Sequence, residues 1–211
     1  MIEPAVISKA ERYLKRVDPH MKRLIASHGP CTLGARRRDP FHVIATSIIS
    51  QQLSVRAADT IQARVEVRAG VCGKLTPRTL LALTPEDLRA CGLSNAKARW
   101  LHALSEARAS RRLSFPKLAT LDDESAIEVL DALPGIGRWT AEMVLIFAFD
   151  RLDIFSMGDV GLRRAINHIY HAGEKLGDAE TLALSETWAP YRSIASWYLW
   201  RLVDGNLQAW V

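Results

Sequence analysis

At 211 residues, 48% of them hydrophobic, the chain is long enough for one sizeable core or two small lobes. A net charge of +5 and a pI near 9.3 suit a polyanionic partner. Cys31, Cys72 and Cys91 are an odd number without paired spacing, which argues against a disulfide framework and for a reducing compartment; no apolar run approaches a membrane-spanning length, and the first residues lack a signal-peptide pattern.

Helical periodicity runs through the chain, and no segment shows sustained strand-like alternation, so the predicted fold is all-α. Phe41, Ile44, Ala45, Ile48 and Ile49 follow the i, i+3, i+4, i+7 spacing of one buried helix face. Ala58, Ile61 and Val65 repeat it more sparsely. Thr84-Pro85-Glu86-Asp87 has the form of a capping box with proline at the first helical position. Trp100, Leu101 and Leu104 mark the next helix. The runs Arg36-Arg37-Arg38 and Arg163-Arg164 read either as solvated surface or as phosphate contacts.

The stretch Leu133-Pro134-Gly135-Ile136-Gly137 is the most informative. Pro134 fixes one backbone angle, and Gly135 and Gly137 permit conformations closed to other residues. A helix is predicted to start near Arg138, with Ala141, Val144, Leu145 and Ile146 on its apolar face. The first amides of a helix have no internal partner and lie at the positive end of its dipole, so a phosphate can settle there. A plain glycine turn between two core helices is the other reading of the same residues. Further on, Ser156-Met157-Gly158-Asp159 leads into a new helix at Val160. Asp is an ordinary N-cap, but the chain allows Asp159 more. The intervening helix covers roughly 18 Å, and the link after it spans up to roughly 30 Å if extended, so Asp159 can return to the level of the glycine turn. His168 and His171 stand at i, i+3 without a further ligand pattern, and no zinc site is expected.

These motifs resemble the helix-hairpin-helix DNA glycosylase superfamily, named for its hairpin, its Gly/Pro-rich loop and its aspartate, and within it the DNA-3-methyladenine glycosylase II (AlkA-type) branch. Residues 133–139 match the hairpin and Asp159 the catalytic aspartate. Asp39-Pro40-Phe41 leading to Ile48-Ile49-Ser50-Gln51-Gln52-Leu53-Ser54 resembles the early helix and wedge loop. Cys91-Gly92-Leu93-Ser94 with Lys97-Ala98 resembles the middle loop, and Pro190-Tyr191-Arg192-Ser193 with Tyr198-Leu199-Trp200 the C-terminal helix. The resemblance spans residues 35–205, with its motifs in family order. It implies a six-helix lobe over residues 36–146 ending in the helix-hairpin-helix. Residues 1–35 plus 147–211 would form a second helical lobe carrying Asp159, with the active site in the cleft between lobes. The chain begins too near the early helix for the N-terminal β domain of some relatives. With no cysteine beyond Cys91 it lacks the iron–sulfur loop of the endonuclease III branch.

The implied activity is that of a monofunctional DNA N-glycosylase of base excision repair, releasing alkylated bases such as 3-methyladenine and 7-methylguanine. An N-alkylated purine leaves as a neutral base, so the oxocarbenium-like sugar is what needs help. One carboxylate, Asp159, can stabilise that cation and align or deprotonate a water. Where the lyase-competent branch carries a Schiff-base lysine, this chain has Trp139, so no strand cleavage is expected. Trp139 and Trp200 would face the flipped, electron-poor base, a cation–π gain of about 0.5–2 kcal/mol, and Met143 stands where some AlkA-type proteins have tyrosine. Gln52 aligns with the wedge that fills the gap in the base stack, with Leu53 beside it. The hairpin would grip phosphate through the amides of Gly135, Gly137 and Thr140. The carbonyls of Asp131, Leu133 and Ile136 would hold a sodium or potassium ion; no other cofactor is implied. The expected partner is damaged double-stranded DNA, bound by a monomer with no membrane involved, at the cytoplasmic nucleoid or in a eukaryotic nucleus. Two alternatives stay open: a glycosylase for other damaged or mismatched bases, and a catalytically silent helix-hairpin-helix DNA-binding module. Asp159 argues against the second, since phosphate binding gains nothing from an anion.

Overall fold

Among the described residues, nine helices open on a Ser, Thr or Asp side chain that accepts a first-turn amide: Asp18, Asp39, Ser54, Thr76, Thr84, Ser94, Ser114, Asp122 and Asp159. Each satisfies a donor that the helix cannot, worth about 1 kcal/mol. The computed structural model describes residues 1–71 and 74–204, and among these there are only helices and loops, as the periodicity predicts. In chain order they are α1 (Pro4–Val17), α2 (Pro19–His28), α3 (Pro40–Ser50), α4 (Val55–Arg68), α5 (Pro77–Leu81), α6 (Pro85–Ala90) and α7 (Asn95–Ala109). Then come α8 (Phe115–Thr120), α9 (Asp123–Asp131), α10 (Arg138–Ala148), α11 (Val160–Tyr170), α12 (Asp178–Glu186) and α13 (Arg192–Asp204). None of them is long and apolar enough to cross a membrane.

The chain divides into two compact units: Met1–Arg37 with the chain from Leu145 onward, and Arg38–Val144. The second unit carries α3 to α9 before the start of α10, more than the six helices the resemblance implies. Three of these, α5, α6 and α8, are short, with five or six residues each, and start on Thr76, Thr84 and Ser114. In this unit α3 packs on α4 and α7, and α5 and α6 also pack on α7. The apolar face read from the sequence, Phe41, Ile44, Ala45, Ile48 and Ile49, is buried, together with Leu75, Leu80, Leu88, Leu101 and Leu104. Each such large side chain contributes about 1.5–3 kcal/mol by leaving water.

In the first unit α13 packs against α11, α2 and α1. Leu14, Met21, Leu162, Ile166, Ile194 and Tyr198 are buried there. One buried carboxylate ties its helices. Asp18 Oδ1 accepts the amides of His20 and Met21 at the start of α2. Its Oδ2 accepts the Tyr170 hydroxyl at 2.6 Å and the Trp188 indole N–H at 2.8 Å.

Candidate functional site

Asp159 closes the loop before α11. Its amide donates to Ser156 O at 3.1 Å, and its extended backbone lets the side chain turn back over the helix start. Oδ1 accepts the Leu162 amide at 2.7 Å and the Trp200 Nε1–H at 3.2 Å. The residue is 7% exposed. The positive end of the α11 dipole favours an anion at this place. The Trp200 ring lies 5.6 Å from that of Phe147, tilted by 30°, and both are buried. Gly161 makes the meeting sterically possible: a Cβ there would stand 3.1 Å from Asp159 Oδ1 and 3.5 Å from Trp200 Cδ1. The structure therefore joins two of the residues singled out in the sequence. It also gives Trp200 a task the sequence did not announce, that of a donor orienting the carboxylate.

In the second unit the hairpin follows α9. The Ile136 amide donates to Leu133 O at 3.1 Å and closes the turn. Gly135 has φ +83, and a Cβ on it would come within 2.4 Å of Trp100 Cδ2, so both backbone and packing demand glycine. A Cβ on Gly137 would meet nothing within 4 Å, so this face of the turn is open. α10 begins after Gly137, which has no side chain to cap it; the first amide bond into the helix is Ala141 N–H to Gly137 O at 3.0 Å. Among the described residues the amides of Gly135, Gly137 and Thr140 have no acceptor. Arg138, next to them, is held by Glu124 at 2.6 Å and Glu142 at 3.0 Å. The hydrogen bond from that guanidinium holds the Glu124 carboxyl below its ordinary pKa. Trp139 is half-buried and Met143 buried, one turn apart on α10.

The turn after α3 carries Gln52 and Leu53, both exposed. Gln52 has φ +57, a left-handed conformation unusual for a residue with a side chain. Of the arginine runs, Arg36, Arg37 and Arg164 are exposed, whereas Arg163 binds Asp178 at 2.7 Å, Thr181 Oγ1 and Leu176 O and so serves the fold. Among the described residues no cluster of three His, Cys, Asp or Glu could hold a metal ion.

Lys97, Gln51, Gly161 and Phe147 drew no role from the sequence. Lys97 had a visible signal: with Leu101 and Leu104 it lies at i, i+4, i+7, so a lysine sits on the apolar stripe of α7. Its ammonium is buried, and burial pushes its pKa down.

The family model described as HhH-GPD superfamily base excision DNA repair protein matches residues 45–190. Over 197 residues the chain is 30% identical to the alkylbase DNA glycosidase-like protein mag2 of Schizosaccharomyces pombe, covering 92% of each. The crystal structure of the DNA-3-methyladenine glycosidase of Bacillus halodurans superposes with a TM-score of 0.81 at 35% identity, over 91% of this chain and 87% of that one. The 3-methyladenine DNA glycosylase Mag1 of S. pombe, in complex with abasic DNA, superposes with a TM-score of 0.76 at 29% identity, over 96% and 99% of the two chains.

Proposed function

The chain belongs to the HhH-GPD superfamily of base excision DNA repair proteins, and from that premise we infer that it is an alkylbase DNA glycosylase that releases the base without cutting the strand. The observation that carries the chemistry is the buried Asp159 carboxylate, oriented by the Leu162 amide and the Trp200 indole.

The hairpin binds the DNA backbone on the amides of Gly135, Gly137 and Thr140, which have no acceptor among the described residues. Gln52 or Leu53 fills the gap left by the flipped nucleotide. Trp139 and Met143 contact the cationic base, Trp139 through its electron-rich face. The bond from C1′ to the base nitrogen breaks with both electrons going to the base, which thereby becomes neutral. The Asp159 carboxylate stabilises the oxocarbenium-like sugar, a water oxygen adds to C1′, and its proton passes to the carboxylate or to solvent. Position 139 holds an indole, so no amine is there to form a Schiff base, and the abasic strand stays intact. The hairpin carbonyls of Asp131, Leu133 and Ile136 suit a sodium or potassium ion, being neutral oxygen donors; Leu133 O accepts one amide and keeps a second lone pair. Such an ion would offset the phosphate charge. The enzyme works as a monomer on damaged duplex DNA, in the nucleoid or, in a eukaryote, the nucleus.

The test is base release from alkylated duplex DNA by wild type and Asp159→Asn, with products separated chromatographically and strands checked for nicks before alkali. Asn caps helices as well as Asp, so the variant folds. Wild type releases 3-methyladenine without nicks, and the variant is slower by about 100-fold or more while binding is retained. Binding without release by wild type would send the chain to other lesions or to a silent DNA-binding role. Nicks before alkali would overturn the argument from Trp139.

A further inference from the structure

Helix α3 ends with carbonyls that the helix itself leaves unpaired. Two of them, Ile49 O and Gln51 O, accept hydrogen bonds from the buried Lys97 ammonium of α7, at 2.8 Å for Ile49. Among the described residues no carboxylate pairs with Lys97, so the cation answers only main-chain dipoles at the negative end of α3. Three residues along α7, Trp100 lies beneath the hairpin at the glycine that a Cβ would drive into its ring. Lys97 and Trp100 thus share one face of α7 and hold two different turns. Gln51 joins those turns directly: its Nε2 donates to Gly135 O at 2.8 Å. The next residue, Gln52, is the exposed one with φ +57. A strained residue of this type keeps its conformation only when its surroundings fix it.

We propose that Lys97 and Gln51 are positioning residues that register the Gln52–Leu53 turn against the hairpin, so that the backbone grip and the side chain entering the base stack act at a fixed separation. The proposal rests on the glycosylase assignment. Grip alone needs only the hairpin amides. Opening a base pair beside the gripped phosphate also needs the inserting side chain at the right distance, and that distance is what Gln51 and Lys97 hold.

The experiment compares wild type with Gln51→Leu, Lys97→Met and Lys97→Arg. Three quantities are read: single-turnover base release from alkylated duplex, fluorescence of 2-aminopurine placed beside the lesion as a report of flipping, and affinity for a duplex with an abasic analogue relative to an undamaged duplex. Gln51→Leu is expected to lower base release and the abasic preference by about 10-fold, with the flipping signal reduced and both melting temperature and undamaged-duplex affinity unchanged. Lys97→Met is expected to behave alike, and Lys97→Arg to recover most of the loss. Should Lys97→Met fail to fold, Gln51→Leu decides alone. Wild-type values of release, flipping and preference in Gln51→Leu would overturn the proposal and leave the glycosylase assignment standing. So would a fall in undamaged-duplex affinity and melting temperature in step with release, which is the mark of a merely structural role. A wild type that releases no base would instead defeat the glycosylase assignment, and this proposal with it.

Discussion

Gly161→Ala adds one methyl group beside Asp159, the carboxylate on which the proposed chemistry depends. The new Cβ would lie 3.1 Å from Asp159 Oδ1 and 3.5 Å from Trp200 Cδ1, tight enough that a neighbour must give by a few tenths of an ångström. Asp159 is the neighbour with less freedom to absorb this, because its Oδ1 is already bonded to the Leu162 amide at 2.7 Å. Misplacing a reacting group by about 1 Å costs about 100-fold in rate; a few tenths then cost about 3- to 10-fold. The fold should hardly notice. Alanine gains up to about 1 kcal/mol over glycine within a helix, and off-rotamer strain of about 0.5–1.5 kcal/mol offsets it. The melting temperature should therefore stay within about 4 °C of wild type. The assay is single-turnover release of an alkylated base at saturating enzyme, with thermal melting and duplex affinity measured alongside. A wild-type rate in a folded variant would refute the claim that the Asp159 position is tight. A melting temperature lowered by more than about 10 °C would show that Gly161 serves packing instead.

Asp18→Asn should destabilise the protein by about 2–4 kcal/mol. The carboxylate accepts four hydrogen bonds, from His20, Met21, Tyr170 and Trp188, and an amide turns one acceptor oxygen into a donor. Denaturant melts measure this, and a loss below about 0.5 kcal/mol would mean that the cluster adds little. Gly137→Ala should leave stability unchanged, since its Cβ meets no protein atom within 4 Å. It should weaken binding to damaged and undamaged duplex alike by about 10- to 100-fold, the worth of one or two charge-assisted amide bonds. Anisotropy titrations at fixed salt check it, and unchanged affinity would remove the hairpin from the phosphate grip.

The helices were legible because their signals are local. The buried face of α3 follows from spacing alone, and the Thr84 capping box appears in the structure with both of its hydrogen bonds. The start of α10 at Arg138 and of α11 at Val160 also follow from punctuation in the chain. What stayed hidden depends on partners far away in sequence. Trp200 shows no sign of donating to a carboxylate 41 residues earlier, and Gln51 none of reaching a carbonyl 84 residues later. Gly135 could be read as a turn residue, but the packing that forbids any side chain there comes from Trp100, on another helix. Short helices such as α5 and α8 bury only one apolar residue each, Leu80 and Leu118, so periodicity has too few positions to register them.

The starts of α10 and α11 use one physical fact in opposite ways. The first amides of any helix lack partners. At α11 the chain supplies the anion: Asp159 takes the Leu162 amide, and that bond fixes the side chain in the one place from which Trp200 can also reach Oδ1. At α10 the chain withholds one. Gly137 carries no side chain, and Arg138 is turned toward Glu124 and Glu142. An Asp or Ser at position 137 would stabilise the isolated helix by about 1 kcal/mol, yet its oxygen would fill the space that the proposed phosphate grip requires. Helices α1 and α12 also begin without a side-chain cap; what distinguishes α10 is the open glycine turn that precedes it. On the proposed reading, the α10 amides stay open for a phosphate, whereas at α11 the same kind of amide holds the protein's own charge still.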